Sequence, residues 1–124
     1  MPLVVVIEDD PASRRTLGRV LRAGGYDAAI YGSAEAFLAS PPEGAPVGLL
    51  LDIHLGGMSG LDLYRHLIAG GSTLPVIVIT AFDDARTREE ARRLGCVAYL
   101  RKPCEAETIL TALGRLVVGD KTPD

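Results

Sequence analysis

Gly48-Leu49-Leu50-Leu51-Asp52-Ile53-His54-Leu55 is the stretch that decides the fold. A short, continuous apolar run of this kind reads as a strand buried on both faces, as in a parallel sheet. It runs into a single carboxylate, Asp52, and a loop holding Gly56 and Gly57 follows at once. Asp52 therefore falls where the strand leaves the core. In open α/β sheets, ligands bind outside the carboxyl ends of the strands. The residues that share this edge with Asp52 are thus the candidates for function.

Working outward, the chain alternates strand and helix. Leu3 to Ile7 is a β-branched apolar run ending at Glu8-Asp9-Asp10, and Pro11 suits the first position of a helix capped by Asp10. Leu17, Val20 and Leu21 fall at helical spacing, and Gly24-Gly25 closes that helix. Tyr26 to Tyr31 reads as a second strand, and Ser33 caps a short helix bearing Ala34, Phe37 and Leu38 that stops before Pro41-Pro42. After the strand from Gly48 to Leu51, a third helix carries Leu61, Tyr64, Leu67 and Ile68 as far as Gly70-Gly71. Pro75 to Ile79 is a fourth strand that ends at Thr80. The polar loop Phe82-Asp83-Asp84 leads to an Arg- and Glu-rich helix ending at Gly95, with only Ala91 and Leu94 as core candidates. Cys96 to Leu100 is a fifth strand, followed by Arg101-Lys102-Pro103, and Ile109, Leu110, Leu113, Leu116 and Val117 stripe a last helix. This pattern predicts one domain over residues 1–118, a parallel sheet with helices on both faces, and a tail or linker over 119–124.

Composition narrows the function. The chain has 124 residues, 48% hydrophobic and 23% charged, which is globular, and its net charge of −3 lacks the basic footprint of direct nucleic-acid binding. No apolar run is long enough for a membrane span. Met1-Pro2 leads straight into the first strand without the basic and apolar regions of a signal peptide, so a cytoplasmic location is expected. Cys96 and Cys104 form no metal-ligand pattern and read as reduced thiols.

With every crossover right-handed, the carboxyl ends of the strands share one rim. The first strand delivers Glu8, Asp9 and Asp10, the third Asp52, the fourth Thr80, and Lys102 follows the fifth. Singly, each has a plain structural role: Asp10 as a helix cap, Lys102 as a surface lysine, Thr80 as a strand terminus. Together they bring carboxylates close enough to require a cation. Hard oxygen ligands suit Mg²⁺, which takes one or two carboxylates together with phosphate oxygens. Thr80 and Lys102 are donors that fit an anion beside the metal. These are the parts of a phosphoryl-transfer site in which the Asp52 carboxylate attacks in line.

The chain resembles the receiver domains of bacterial two-component response regulators, CheY-like proteins, over residues 3–118. The resemblance is carried by Val6-Ile7-Glu8-Asp9-Asp10-Pro11 with Arg14, by Leu51-Asp52-Ile53-His54-Leu55 through Met58-Ser59-Gly60, by Ile79-Thr80-Ala81 and by Lys102-Pro103. It implies a flavodoxin-like five-stranded sheet in the order 2-1-3-4-5. It also implies that Asp52 accepts a phosphoryl group from a sensor histidine kinase or phosphotransfer protein. Mg²⁺, or Mn²⁺ in its place, would be held by Asp9, Asp52 and the backbone carbonyl of His54, with Glu8 acting through water. Thr80 would bond the phosphoryl group and move toward it, Lys102 would pair with one of its oxygens, and Tyr99 would swing inward. The fourth helix, fifth strand and fifth helix would carry the readout, either to a transcriptional output domain or through a homodimer. The chain would be a signalling module rather than an enzyme acting on a separate substrate. Ser33-Ala34-Glu35-Ala36-Phe37-Leu38 and Met58-Ser59-Gly60-Leu61 look closest to regulators with helix-turn-helix outputs.

Several positions depart from the family pattern. Glu8 stands where many receivers have Asp, a change expected only to tune the metal site. Gly56 takes the place usually held by Pro, which should loosen the loop and weaken Mg²⁺ binding. Cys104 replaces a common Phe and reads either as an apolar filler or as an oxidant-sensing thiol at a helix start. His54 and Phe82 lie at the positions that in this family line the site entrance. His66 reads as a surface residue. A stand-alone aspartyl phosphatase would need an acid where His54 stands, and a cap. A flavin-binding domain would need a phosphate cradle in place of Glu8-Asp9-Asp10. A degenerate receiver would lack part of the set formed by Asp9, Asp52, Thr80 and Lys102.

Overall fold

The apolar pentapeptides form the strands because their β-branched and leucine side chains can be buried on both faces of a sheet. In the computed structural model, which describes the backbone of residues 1–121 and the side chains of 1–116, the strands are β1 (Leu3–Ile7), β2 (Asp27–Tyr31), β3 (Gly48–Asp52), β4 (Val76–Thr80) and β5 (Ala98–Arg101). They alternate with α1 (Pro11–Ala23), α2 (Ala34–Ala39), α3 (Gly60–Ala69), α4 (Ala85–Arg93) and α5 (Ala106–Lys121). The sheet is parallel throughout, in the order β2-β1-β3-β4-β5.

Alternation along each strand divides the core in two. Val4, Val6, Leu50, Ile77 and Ile79 pack with Leu17 and Leu21 of α1 and Ile109, Leu113 and Leu116 of α5. Val5, Ile7, Leu49, Leu51, Val76 and Val78 pack on the other face with Phe37 of α2, Leu63 and Tyr64 of α3 and Ala91 of α4. Burying one such aliphatic side chain contributes about 1.5–3 kcal/mol. α4 contributes one buried residue, Ala91, with Leu94 at the edge of the cluster, so it is the helix least anchored to the sheet. Asp10, Ser33, Ser59 and Asp84 cap the first four helices, each accepting a main-chain N–H three residues on at 2.8–3.1 Å.

The element boundaries differ from the sequence expectation in ways that hydrogen bonding explains. Tyr26 N–H bonds back to Leu21 O at 2.9 Å, so β2 starts at Asp27 rather than Tyr26. β4 runs from Val76 to Thr80 because Pro75 has no N–H and offers only its carbonyl, to Leu49 N. Cys96 N–H still closes the α4 turn on Ala91 O at 3.2 Å, which delays β5 to Ala98. α5 continues to Lys121, past the Gly119 at which a tail was expected to begin. The side chain of Val117, placed in the core stripe above, and residues 122–124 lie outside the described residues. Among the described residues no helix is long and apolar enough to cross a membrane.

Both cysteines are free and half-buried. Cys104 packs against the α1–α5 cluster, and burial pushes its thiol upward despite the nearby Lys102 charge. That environment is the filler of the two alternatives, since a thiolate sensor needs a lowered pKa. Iodoacetamide should therefore alkylate Cys104 no faster than a free thiol at pH 7, measured by mass spectrometry of the digested protein; a faster reaction would restore the redox alternative.

Candidate functional site

Register brings the site together. Ile7 lies opposite Leu51 and Asp52 opposite Ile79, so Glu8 and Asp52 leave neighbouring strands side by side with Thr80 one strand further on. Lys102 N–H donates to Thr80 O at 2.8 Å, which sets the lysine just beyond the end of β5. The Lys102–Pro103 peptide is cis.

Glu8, Asp52 and Thr80 are buried polar residues at 1%, 6% and 0% exposure, whereas Asp9 is exposed at the rim. Carboxylate oxygens of Glu8, Asp9 and Asp52 lie within 4.8 Å of one another. The Lys102 ammonium reaches into this cluster, 2.5 Å from Glu8 Oε1 and 3.4 Å from Asp52 Oδ2. Burial pushes the Glu8 carboxyl up, and Lys102 and the Asp10 N–H only partly oppose it. Burial acts to lower Lys102, but its bond to Glu8 and the charge of Asp52 prevail and raise it, so the ammonium is charged at physiological pH.

The backbone is pinned around these groups. Glu8 Oε2 accepts Asp10 N–H at 3.1 Å, and Asp52 Oδ1 accepts His54 N–H at 3.0 Å. Arg14, from the first turns of α1, donates through Nη1 to the carbonyls of both Glu8 and Asp9, at 3.0 and 3.1 Å. Glu35 of α2 accepts Met58 N–H at 2.8 Å and so holds the loop after Asp52. The Thr80 hydroxyl bonds its own loop, accepting Phe82 N–H at 3.0 Å and donating to Phe82 O at 3.1 Å. The rings of His54 and Phe82 meet edge to face, centroids 4.6 Å apart and planes at 66°. Phe82 is 63% exposed.

The structure thus gathers Glu8, Asp9, Asp52 and Lys102 into one cluster, with Thr80 beside it and the peptide of His54 on the Asp52 carboxylate. Asp10 stays outside the cluster as the cap of α1, and His66 is exposed on α3. Tyr99 stands apart from the rim acids. It lies beside Asp83, where burial first and then the Asp83 carboxylate raise its hydroxyl, while Asp83 Oδ2 pairs with Arg88 and Arg101 at 2.6 and 3.3 Å. The tethers made by Glu35 and Arg14 and the arginine pairs of Asp83 escaped the sequence reading. Their partners are main-chain groups or distant side chains, which residue spacing does not reveal.

The donor set is chemically consistent with a hard divalent cation. It offers carboxylate oxygens from buried Glu8 and Asp52 and exposed Asp9, and their mutual repulsion is the condition that such an ion relieves. The ammonium and hydroxyl at the same rim supply donors for an anion next to that cation.

Comparison with known proteins agrees with this geometry. The family model "Response regulator receiver domain" matches residues 4–114. Over 112 residues the chain is 34% identical to the transcriptional regulatory protein FixJ of Rhizobium meliloti, covering 90% of this chain and 55% of that protein. It is 32% identical over 110 residues to the acid tolerance regulatory protein ActR of Sinorhizobium medicae, covering 89% and 57%. The chain spans about half the length of the curated relatives it matches. Among solved structures, the response regulator StyR superposes with a TM-score of 0.86 at 31% identity, covering 97% of this chain and 61% of that one. A receiver protein from Pseudoalteromonas atlantica superposes at 0.89 with 22% identity, a likeness of fold. Strand order, the acid rim and the family match along nearly the whole chain lead to one conclusion: this chain belongs to the response regulator receiver domains of two-component signal transduction systems.

Proposed function

We propose that Asp52 is the phosphoacceptor of this receiver and takes a phosphoryl group from a histidine of a sensor kinase or phosphotransfer protein. A carboxylate oxygen of Asp52 forms the new O–P bond as the P–N bond to the donor histidine breaks, and the electron pair of that bond returns to the imidazole. The observation that carries this reading is the Lys102 ammonium 3.4 Å from Asp52 Oδ2, inside a cluster of three carboxylates at the rim. An ammonium held there by Glu8 is already in place for the charge that arrives.

Glu8, Asp9, Asp52 and the main-chain carbonyl of His54 are the groups that would hold Mg²⁺, or Mn²⁺ in its place. Such a cation supplies charge neutralisation of the phosphoryl oxygens. The chain's own groups do the remainder. Lys102 pairs with a phosphoryl oxygen, and the Thr80 hydroxyl exchanges its bonds to Phe82 for one to the phosphoryl group. Arg14 keeps the Glu8 and Asp9 backbone fixed while the charges change. The apolar cleft of about 600 Å³ between α1 and the start of α5 reaches Lys102, so a phosphodonor could bury apolar surface there as it approaches.

Phosphorylation adds about −1.5 to −2 charges and three acceptor oxygens at this point. Movement of Thr80 releases the loop that leads into α4, the helix with a single buried anchor. Tyr99, beside Asp83 of that loop, sits on the adjoining β5. We therefore assign the output to α4, β5 and α5, acting on a transcriptional output domain, a partner protein or a second copy of the chain.

Three measurements test this reading. Incubation with acetyl phosphate and Mg²⁺ should add one phosphoryl group by intact mass and none in Asp52→Asn; failure of the unmodified protein to react would favour a receiver that works unphosphorylated. A Cβ at Gly56 would meet nothing within 4 Å and its N–H has no partner among the described residues, so proline there displaces no packed atom and breaks no hydrogen bond of theirs. Gly56→Pro should tighten Mg²⁺ binding roughly two- to fivefold, the equivalent of about 0.4–1 kcal/mol of loop entropy, and equal or weaker binding by titration would refute the loop argument. Phe82→Ala opens the entrance to the attacking water, so its phosphorylated form should lose phosphate faster than the unmodified protein; an unchanged lifetime would remove Phe82 from that role.

A further inference from the structure

We infer that Glu35 is a positioning residue for the rim: from α2 it fastens the loop between β3 and α3 and so keeps the metal-binding groups on that loop in place. The inference rests on the proposal that the rim takes Mg²⁺.

The loop is secured at its two ends by its own chain. His54 N–H donates to Asp52 Oδ1 at 3.0 Å, Gly60 N–H donates to Ile53 O at 2.9 Å, and Ser59 Oγ caps α3. Between these ends stand Gly56 and Gly57, the residue type with the most backbone freedom to lose. Among the described residues, the Met58 N–H bond to Glu35 Oε2, at 2.8 Å, is the one hydrogen bond that reaches this middle stretch from another element. It spans 23 residues of sequence, so it ties α2 to the site loop rather than decorating a local turn.

A second observation shows that the contact is fitted. Gly57 has φ +73°, and a Cβ on it would lie 2.6 Å from Glu35 Oε2. The carboxylate end lies where a side chain at 57 would begin, so glycine admits the contact without displacing the glutamate. Gly57 therefore serves two ends, since it adopts the turn and it admits the glutamate. Glu35 itself is exposed, so it has no part in the core. Its effect should appear in the site and not in folding.

The test is isothermal titration of MgCl₂ into the full chain, with the thermal unfolding midpoint as a control. Glu35→Ala should bind Mg²⁺ roughly three- to tenfold more weakly, the effect of losing one net hydrogen bond from the liganded arrangement, with the midpoint little changed. Glu35→Gln keeps an amide oxygen that accepts from Met58 N–H and should recover most of the affinity. The Met58 amide should exchange with solvent faster in the alanine variant than in the glutamine variant, an observation independent of metal. Mg²⁺ affinity in Glu35→Ala equal to that of the unmodified protein, or a glutamine variant as weak as the alanine one, would overturn the inference while leaving the rim assignment standing. An unmodified protein that binds no Mg²⁺ would overturn both.

Discussion

The cost of burying negative charge governs the site. Glu8 and Asp52 are almost inaccessible to water, and an ionised carboxylate in such a place is unfavourable unless something compensates it. Lys102 is that compensation, contacting both groups from beyond the end of β5. Removing one partner of a buried pair leaves the other uncompensated, at a cost of about 3–5 kcal/mol. The three residues are therefore coupled even though 94 positions separate Glu8 from Lys102. The proposed entry of a cation or a phosphoryl group would change this balance.

That balance is possible because of topology. Right-handed crossovers in a parallel sheet leave every strand pointing the same way, so residues that follow the apolar runs accumulate at one edge. The core behind them is two-sided, with β1, β3 and β4 almost fully buried. The loops and α4 are less buried. The polar network of Asp83 with Arg88, Arg101 and Tyr99 lies on this less buried side.

Much of this was legible from residue order. Leu49-Leu50-Leu51 could be recognised as a central strand because a continuous apolar run has no solvated face, and the carboxylate after it marked the edge. Asp10 was legible as a cap because an acid before Pro11 at a helix start has a local purpose. Ala91 and Leu94 alone marked α4 as thinly packed. Boundaries were less legible: Cys96 and Tyr26 are apolar enough for strands, yet their N–H groups are taken by the preceding helices. The Glu35 bond to Met58 was not legible at all, since an exposed glutamate on a short helix looks the same whether or not a loop lies within its reach.

By itself, then, the sequence determined the alternation of elements, the parallel sheet and the identity of the groups at its edge, because apolar runs and the chemistry after them are local properties of the chain. Tertiary structure alone decided the distances: that Lys102 meets Glu8 more closely than Asp52, that the Thr80 hydroxyl faces its own loop, that the rings of His54 and Phe82 meet edge to face, and that α2 reaches across to the glycine loop. These depend on strand register and on which helix lies beside which loop. Such relations arise only when distant parts of the chain are packed together.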